Sequence, residues 1–448
     1  MNVIDAFRRA GISVVLAPGD DGYQDAVAGF DLAVDVAPAV VVHAQTPADV
    51  ASAVRVAADQ GTPFAVLGSG HGRLRPLHGG TAISMHALDT VEVDVAERTA
   101  RIGAGCSWTT VVAAAAAHGL AAPCGSAPGV GVTGYLLGGG IGPLARSFGF
   151  SSDHVRSFEV VTPADGPTTV SRDAHPDLFW ALRGGKVGLG VVTSVTVELL
   201  PVSELVGGGL YFSADAAADV MAVYLGWADG LPNSTTTSIA LLRLPDSSAL
   251  PPALSGKHVA HVRFASLDSA DAAQAQLAPL RAAATPVVDT VGTMPYATVG
   301  SIHSDPTAPM PVTSGTASLA TVDDATLAAI LTAGGLDVDT PLSAVEIRTL
   351  GGATLSAGAE PDAVGGRGTQ HLLNVYAAPV PSLADDVRLS AVGSVLDATA
   401  GAHLPTTLVN FVGRANTPGA FDASWNDDQR RRLDDIRRAH DPGGLLLP

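Results

Sequence analysis

Glycine constrains this chain more than any other residue. Eight glycines fall within the eighteen positions from Gly125 to Gly142. They are grouped as Gly125-Ser126-Ala127-Pro128-Gly129-Val130-Gly131-Val132-Thr133-Gly134 and Gly138-Gly139-Gly140-Ile141-Gly142. Such a stretch cannot run as one long helix or strand, because each glycine costs conformational entropy and contributes no packing. A second cluster, Gly68-Ser69-Gly70-His71-Gly72, directly follows the apolar run Phe64-Ala65-Val66-Leu67. Three glycines in five positions let the main chain approach a ligand closely and turn successive N–H groups toward an anion such as a pyrophosphate. Neither spacing is the dinucleotide fingerprint of a βαβ unit or a P-loop. Either cluster alone could be a tight turn. Two in one domain point to a backbone cradle around a large planar or anionic ligand.

The elements around these clusters are legible. Thr46, Pro47 and Asp49 form a helix start, with Val50, Val54 and Ala57 on one apolar stripe and Gly61 as the stop. Strands are expected at Ala39–His43, Phe64–Leu67 and Ala100–Ile102, and a helix over 107–117, so the first 200 residues read as strand alternating with helix. Beyond about residue 205 the pattern changes to strands at 209–212, 238–242, 258–262 and 372–376, with helices over 214–227 and 269–284. That pattern predicts an antiparallel sheet with helices on one face. A charged helix over 429–440 closes the chain before Asp441-Pro442.

Composition excludes several partners. The net charge is -18, and the only lysines are Lys186 and Lys257. Nucleic acid and polybasic membrane contact both require clustered cations that this chain lacks. No apolar stretch reaches the ~20 residues a membrane helix needs. The first residues have no signal-peptide core, so a cytoplasmic location is expected. Two cysteines, Cys106 and Cys124, supply neither a disulfide framework nor a zinc site by themselves, and no metal site is expected.

Taken together, Gly-x-Gly-His after a strand, Pro128-Gly129-Val130-Gly131-Val132-x-Gly134-Tyr135-x-Leu137-Gly138-Gly139-Gly140-x-Gly142, Asp177-Leu178-Phe179-Trp180-Ala181-Leu182-Arg183-Gly184-Gly185 and Gly190-Val191-Val192-Thr193 resemble the berberine-bridge-enzyme-like FAD oxidases of the vanillyl-alcohol oxidase superfamily. Weaker echoes follow in Glu346-x-Arg348, Val409-Asn410-Phe411 and the terminal helix. The resemblance implies an α+β chain: a PCMH-type FAD-binding domain over 1–205, a substrate domain over 206–400 with an antiparallel sheet flanked by helices, and a segment 401–448 returning to the FAD domain. It implies FAD bonded through His71, with Gly68, Ser69, Gly70 and Gly72 around the pyrophosphate. Gly131, Gly134, Gly139 and Gly140 would line the second wall, Val192 would lie near the adenine, and Ser126 and Asn410 would also bind the cofactor. It further implies hydride transfer from an alcohol, hemiacetal, amine or natural-product intermediate to the flavin, with dioxygen as electron acceptor. By the same resemblance, Val132 would occupy the position where a small aliphatic residue leaves dioxygen room.

The sequence departs from the family pattern in ways that bear on the chemistry. Where many members carry a second, cysteinyl link, this chain has Ala127. Cys124 lies three residues earlier, about 10 Å away in an extended segment. A single histidyl link is expected. The phenol of a Tyr-x-Asn motif, often the family's base, is replaced by Leu408. Tyr296, Glu346 and Asn410 are the catalytic candidates, with His303, Arg348, His371 and Tyr376 as further possibilities. Glu346 and Arg348 share one strand face and could equally pair with each other, whereas His371 and Tyr376 would face opposite sides. The missing phenol keeps two alternatives open: a flavin-containing cyclase or cycloaddition catalyst, and a flavin- or ligand-binding protein without catalysis. The substrate and the oligomeric state are not encoded in any readable motif.

Overall fold

In the computed structural model, which describes residues 3–356, 358, 360–380 and 382–447, the helix start at Thr46 is a full capping box. Its hydroxyl accepts from Asp49 N, the Asp49 side chain reaches back, and the helix Pro47–Gln60 ends at Gly61 with φ +59°. Val50, Ala53, Val54 and Ala57 of this helix pack on Val40, Val42, Phe64 and Ile83. These belong to a four-stranded sheet in the order Val15–Leu16, Val40–His43, Thr81–Ser84, Phe64–Leu67. Both strands beside Thr81–Ser84 pair with it in parallel. The loop Gly68–Gly72 leaves the end of the edge strand Phe64–Leu67, whose Phe64 and Leu67 are buried.

The expected strand–helix rhythm does not continue. Val91–Asp94, Thr99–Gly103, Val191–Glu198, Val155–Thr162 and Gly166–Ser171 instead form a five-stranded antiparallel sheet. The physical reason is the connections: Val91–Asp94 joins Thr99–Gly103 through a short turn in which Asp94 Oδ1 accepts from Glu97 N, and a hairpin that tight permits only antiparallel pairing. The helices Trp108–Ala116 and Pro176–Leu182 pack beside this sheet, and the second glycine segment lies between them in sequence.

Residues 204–377 contribute the strands of a large antiparallel sheet, ordered Val288–Asp289, Glu204–Ser213, His258–Ser266, Thr235–Arg243, Leu342–Thr349, His371–Ala377, Thr313–Leu319, with Gly292–Pro295 also paired to Glu204–Ser213. Alternation sorts its residues onto two faces. Leu210, Phe212, Ile239, Leu241, Val262, Phe264, Val345, Ile347, Leu373 and Val375 face the helices Ala217–Asp229, Ala270–Ala283, Asp324–Gly334 and Asp385–Ala398. The opposite face carries His261, Arg263, Ser238, Glu346, Arg348, Asn374 and Tyr376.

Chain order and packing are interleaved. Tyr296, Val299, Ile302 and Ala363, from the middle of the sequence, join the core of the first half. Leu433 and Ile436 of the terminal helix Asp427–His440 join it too. The last described residues bond to the edge strand through Phe64 N to Leu445 O and Leu447 N to Phe64 O.

Candidate active site

His71 is held from two sides. Its Nδ1 lies 3.1 Å from Ser69 Oγ, and its ring stacks on Phe30 with centroids 4.1 Å apart and planes 11° from parallel. Burial pushes its pKa down to about 4, so the imidazole is neutral near pH 7 with a lone pair available. Ser69 Oγ also accepts from Gly131 N at 3.0 Å. One hydroxyl thus joins the first glycine loop to the second.

The glycines fall into two physical classes. A Cβ built at Gly68, Gly72 or Gly134 would meet no atom within 4 Å, so these three present bare main chain to open space. The others are required by packing. A Cβ would come within 2.7 Å of Ser69 Oγ at Gly131, within 2.9 Å of Val364 at Gly139 and within 2.3 Å of the Tyr135 ring at Gly140. Gly139 and Gly140 also have φ of +92° and +74°. Gly70 has φ +71° and lies against Gly29 and the Arg73 guanidinium. Arg73 Nη2 donates to the Val27 and Ala28 carbonyls.

Asn410 sits at the second loop. Its Nδ2 donates to Tyr135 O at 2.8 Å, and its Oδ1 accepts from Lys186 Nζ. Lys186 also donates to Gly134 O at 2.6 Å. Burial lowers this amine to about 8, and no ion pair reaches it among the described residues.

The polar face of the large sheet is organised by Glu346. Its Oε1 accepts from Arg263 Nη1 at 2.7 Å and from Ser238 Oγ at 3.1 Å. Its Oε2 accepts from Arg348 Nε at 2.8 Å and from Asn374 Nδ2 at 3.2 Å. Burial opposes its ionisation, but Arg348 and Arg263 prevail and hold the carboxyl at about 2. With four donors on two oxygens and so low a pKa, Glu346 is a poor proton acceptor. The expectation that it acts as a catalytic base gives way to the alternative that it pairs with Arg348. Arg348 in turn donates to Ser126 Oγ, which donates to Asp305 Oδ2 at 2.8 Å. The Ser126 hydroxyl, expected to bind the cofactor, is thus engaged by Arg348 and Asp305.

Two other assignments need correcting. Tyr296 is 1% exposed within the core of the first half. Its hydroxyl donates to Ala122 O and meets Cys124 Sγ at 3.3 Å. A phenol enclosed this way cannot reach a substrate, so Tyr296 is an anchor and not part of the pocket. The Val192 side chain is also core, 4% exposed, and only its main chain could meet a ligand. Cys124 is buried and its thiol is pushed up to about 11. His371 faces Asp229 at 3.7 Å on the helix side, while Tyr376 stands beside Glu346 and Arg348 on the other.

His303 stands beside this network. Its Nδ1 is buried without a hydrogen-bond partner, 3.8 Å from Glu346 Oε1. Burial and the adjacent Arg263 and Arg348 push its pKa well down, so its ring is neutral. It borders a small cavity with Ser238, Arg263, Arg348, Ile141 and Gly142, between the sheet face and the second glycine segment. Sequence reading missed Phe30, Arg73 and Arg263. Only Arg263 had a usable signal, its place two residues after His261 on an alternating strand.

Residues 38–171 match the FAD binding domain family. The (R)-6-hydroxynicotine oxidase of Paenarthrobacter nicotinovorans is 32% identical over 220 residues, covering 48% of this chain and 48% of that protein. The chain spans between a third and a half of the length of the curated relatives it matches. Its fold is shared, at 18% identity, with the BBE-like 1 protein of Physcomitrella patens (TM-score 0.83, 100% of this chain and 98% of that one). It is shared equally with the glucooligosaccharide oxidase of Acremonium strictum, whose FAD is described as 6-S-cysteinyl, 8α-N1-histidyl (TM-score 0.82, 18% identity, 99% and 98% covered). The likeness to these structures is one of fold.

Proposed function

We propose that this chain, which carries an FAD binding domain within the fold of the berberine-bridge-enzyme-like oxidases, is an FAD-dependent oxidoreductase. In this reading it bonds the cofactor through His71 and oxidises a small organic molecule. The observation that carries the proposal is the neutral, half-buried imidazole of His71, fixed by Ser69 within a loop whose Gly68 and Gly72 expose bare main chain. The residues present suit the cofactor. Gly68, Gly72 and Gly134 let a diphosphate approach the backbone, and Lys186 offers an ammonium bonded only to neutral oxygens. When bound, FAD supplies hydride acceptance from a C–H next to oxygen or nitrogen, and passes the electrons on to dioxygen.

The protein's own part is positioning. Arg263 and Arg348, locked by Glu346, orient oxygen atoms of the substrate, and the neutral His303 ring borders the cavity beside them. Tyr376 stands beside this cluster. A single histidyl link is supported by Ala127 at the position of the second link and by the enclosure of Cys124.

Acid-precipitated protein that keeps its yellow absorbance, with the flavin mass on the peptide containing His71, tests the link. Anaerobic mixing with candidate substrates tests the reaction: bleaching supports oxidation, and its absence across alcohols, hemiacetals and amines counts against it. A non-oxidising cyclase on the same scaffold has one observation in its favour, the absence of an accessible phenol where Leu408 stands and at Tyr296. Turnover without peroxide release would favour that second reading.

A further inference from the structure

The ring of Phe30 has no place in any apolar core among the described residues. Its one aromatic partner there is the imidazole of His71, 4.1 Å away and 11° from parallel. An aromatic side chain that contributes to no core yet lies flat on the one imidazole of a glycine loop is placed for that imidazole.

Its backbone is fixed to match. Phe30 N donates to Ser69 O at 2.9 Å, Asp31 N donates to Gly70 O at 3.2 Å, and Phe30 O accepts from Met310 N at 2.9 Å. Asp31 is 5% exposed, and its Oδ1 accepts from Val312 N and Ala33 N. Arg73 closes the other side, its guanidinium lying over Gly29 and Gly70 and donating to Val27 O and Ala28 O. The segment from Val27 to Leu32 is thereby held between the first glycine loop and residues 310–312.

We infer that Phe30 is a positioning residue for covalent flavin attachment, fixing the plane of the His71 ring while Ser69 fixes its edge. The inference rests on the His71 linkage proposed above. An imidazole free to rotate about both side-chain torsions presents its lone pair in many directions. A ring stacked on one face and hydrogen-bonded at one nitrogen has most of that freedom removed before the cofactor arrives. The attachment forms one N–C bond between the imidazole and the 8α-methyl carbon of the flavin. That carbon loses one C–H, the imidazole loses its N–H, and the two electrons and two protons reduce dioxygen to hydrogen peroxide.

The test uses the full chain purified from riboflavin-starved cells and mixed with FAD in air. Acid-precipitable flavin is followed in time, with non-covalent FAD affinity and melting temperature measured in parallel. Phe30→Leu, which keeps an apolar side chain and removes the plane, is expected to slow attachment about tenfold, the order of loss that follows a misoriented reacting group. Its FAD affinity and melting temperature should stay near wild type. Phe30→Trp, which keeps a plane, should retain the rate within about twofold. Attachment by Phe30→Leu at the wild-type rate overturns the inference while leaving the His71 linkage intact. So does an equal loss in both variants that tracks a fall in melting temperature. Wild-type protein that never acquires acid-stable flavin removes the linkage and this inference together.

Discussion

Glu346 and Arg348, two residues apart on one strand, meet side chain to side chain with Arg348 Nε donating to Glu346 Oε2 at 2.8 Å. Their side chains are 4% and 13% exposed, and Arg263 completes a buried triad on the other oxygen. Removing one member of such a set leaves buried charge uncompensated, at a cost of about 3–5 kcal/mol. Glu346→Gln should therefore lower unfolding free energy by roughly this amount in urea titrations. The carboxyl is held at about 2, against an ordinary value of 4.5. The unfolded chain binds its proton first as pH falls, so the stabilisation is complete above about 4.5 and is lost on the way down to about 2. The variant should lack that part of the acid limb. An unchanged acid limb would place the carboxylate outside the stabilising network.

The depressed pKa of His71 gives a second prediction. An exposed imidazole would lose its lone pair to a proton below about 6.5, but burial lowers this one to about 4. The rate of flavin attachment should stay level as pH falls from 7 to about 5 and drop only near 4. A midpoint near 6.5 would mean that the ring is solvated and not held as described. The same shift acts on stability: protonation favours the unfolded chain, so this contribution is lost as pH falls from about 6.5 to about 4.

How much of this was legible follows from how local each determinant is. The capping box at Thr46, the glycine loops and the alternation of Glu346 with Arg348 are set within a few residues, and each reads directly from the chain. The enclosure of Tyr296 is not local. It depends on Ala122 and Cys124, which approach only after the Tyr296–Ile302 turn packs into the other half. Phe30 is similar, since its role appears only once Met310 and Ser69 flank it. The five-stranded sheet was misread as strand–helix alternation because short apolar runs do not disclose their pairing direction.

The two classes of glycine make opposite predictions. Gly140→Ala places a Cβ 2.3 Å from the Tyr135 ring at φ +74°, and should lower the melting temperature of the flavin-free protein by several degrees, equivalent to about 1–3 kcal/mol. Gly134→Ala meets nothing within 4 Å and lies inside the short helix Val132–Leu136, so it should hold or slightly raise that temperature while weakening FAD binding. Calorimetry on the apo-protein and fluorescence titration with FAD separate the two. Equal behaviour of the two variants would dissolve the distinction.

Tyr296→Phe tests the removal of Tyr296 from the catalytic set. The hydroxyl donates to Ala122 O, so its loss should cost about 1 kcal/mol of stability and leave turnover within about twofold. A catalytic base would show a loss of roughly 10²–10⁴-fold. Once a substrate is found, one pair of steady-state assays decides between them.

Lys186 links the second glycine loop to the C-terminal segment, since its ammonium donates to Gly134 O and to Asn410 Oδ1. Neither acceptor is charged, and burial lowers the amine from 10.5 to about 8. Below about 8 both folded and unfolded chains carry the proton. Between about 8 and 10.5 the unfolded chain keeps it and the folded chain has released it, so this site adds stability as pH rises through that window. Lys186→Met abolishes the titration and leaves Gly134 O and Asn410 Oδ1 without their donor, a loss of about 1–3 kcal/mol near neutral pH if both oxygens stay buried. The stability difference between wild type and the variant, measured by urea titration of the flavin-free protein at pH 7, 8, 9 and 10, should widen steadily above about 8. A difference independent of pH would mean that the amine is solvated and its two hydrogen bonds are made at no electrostatic cost.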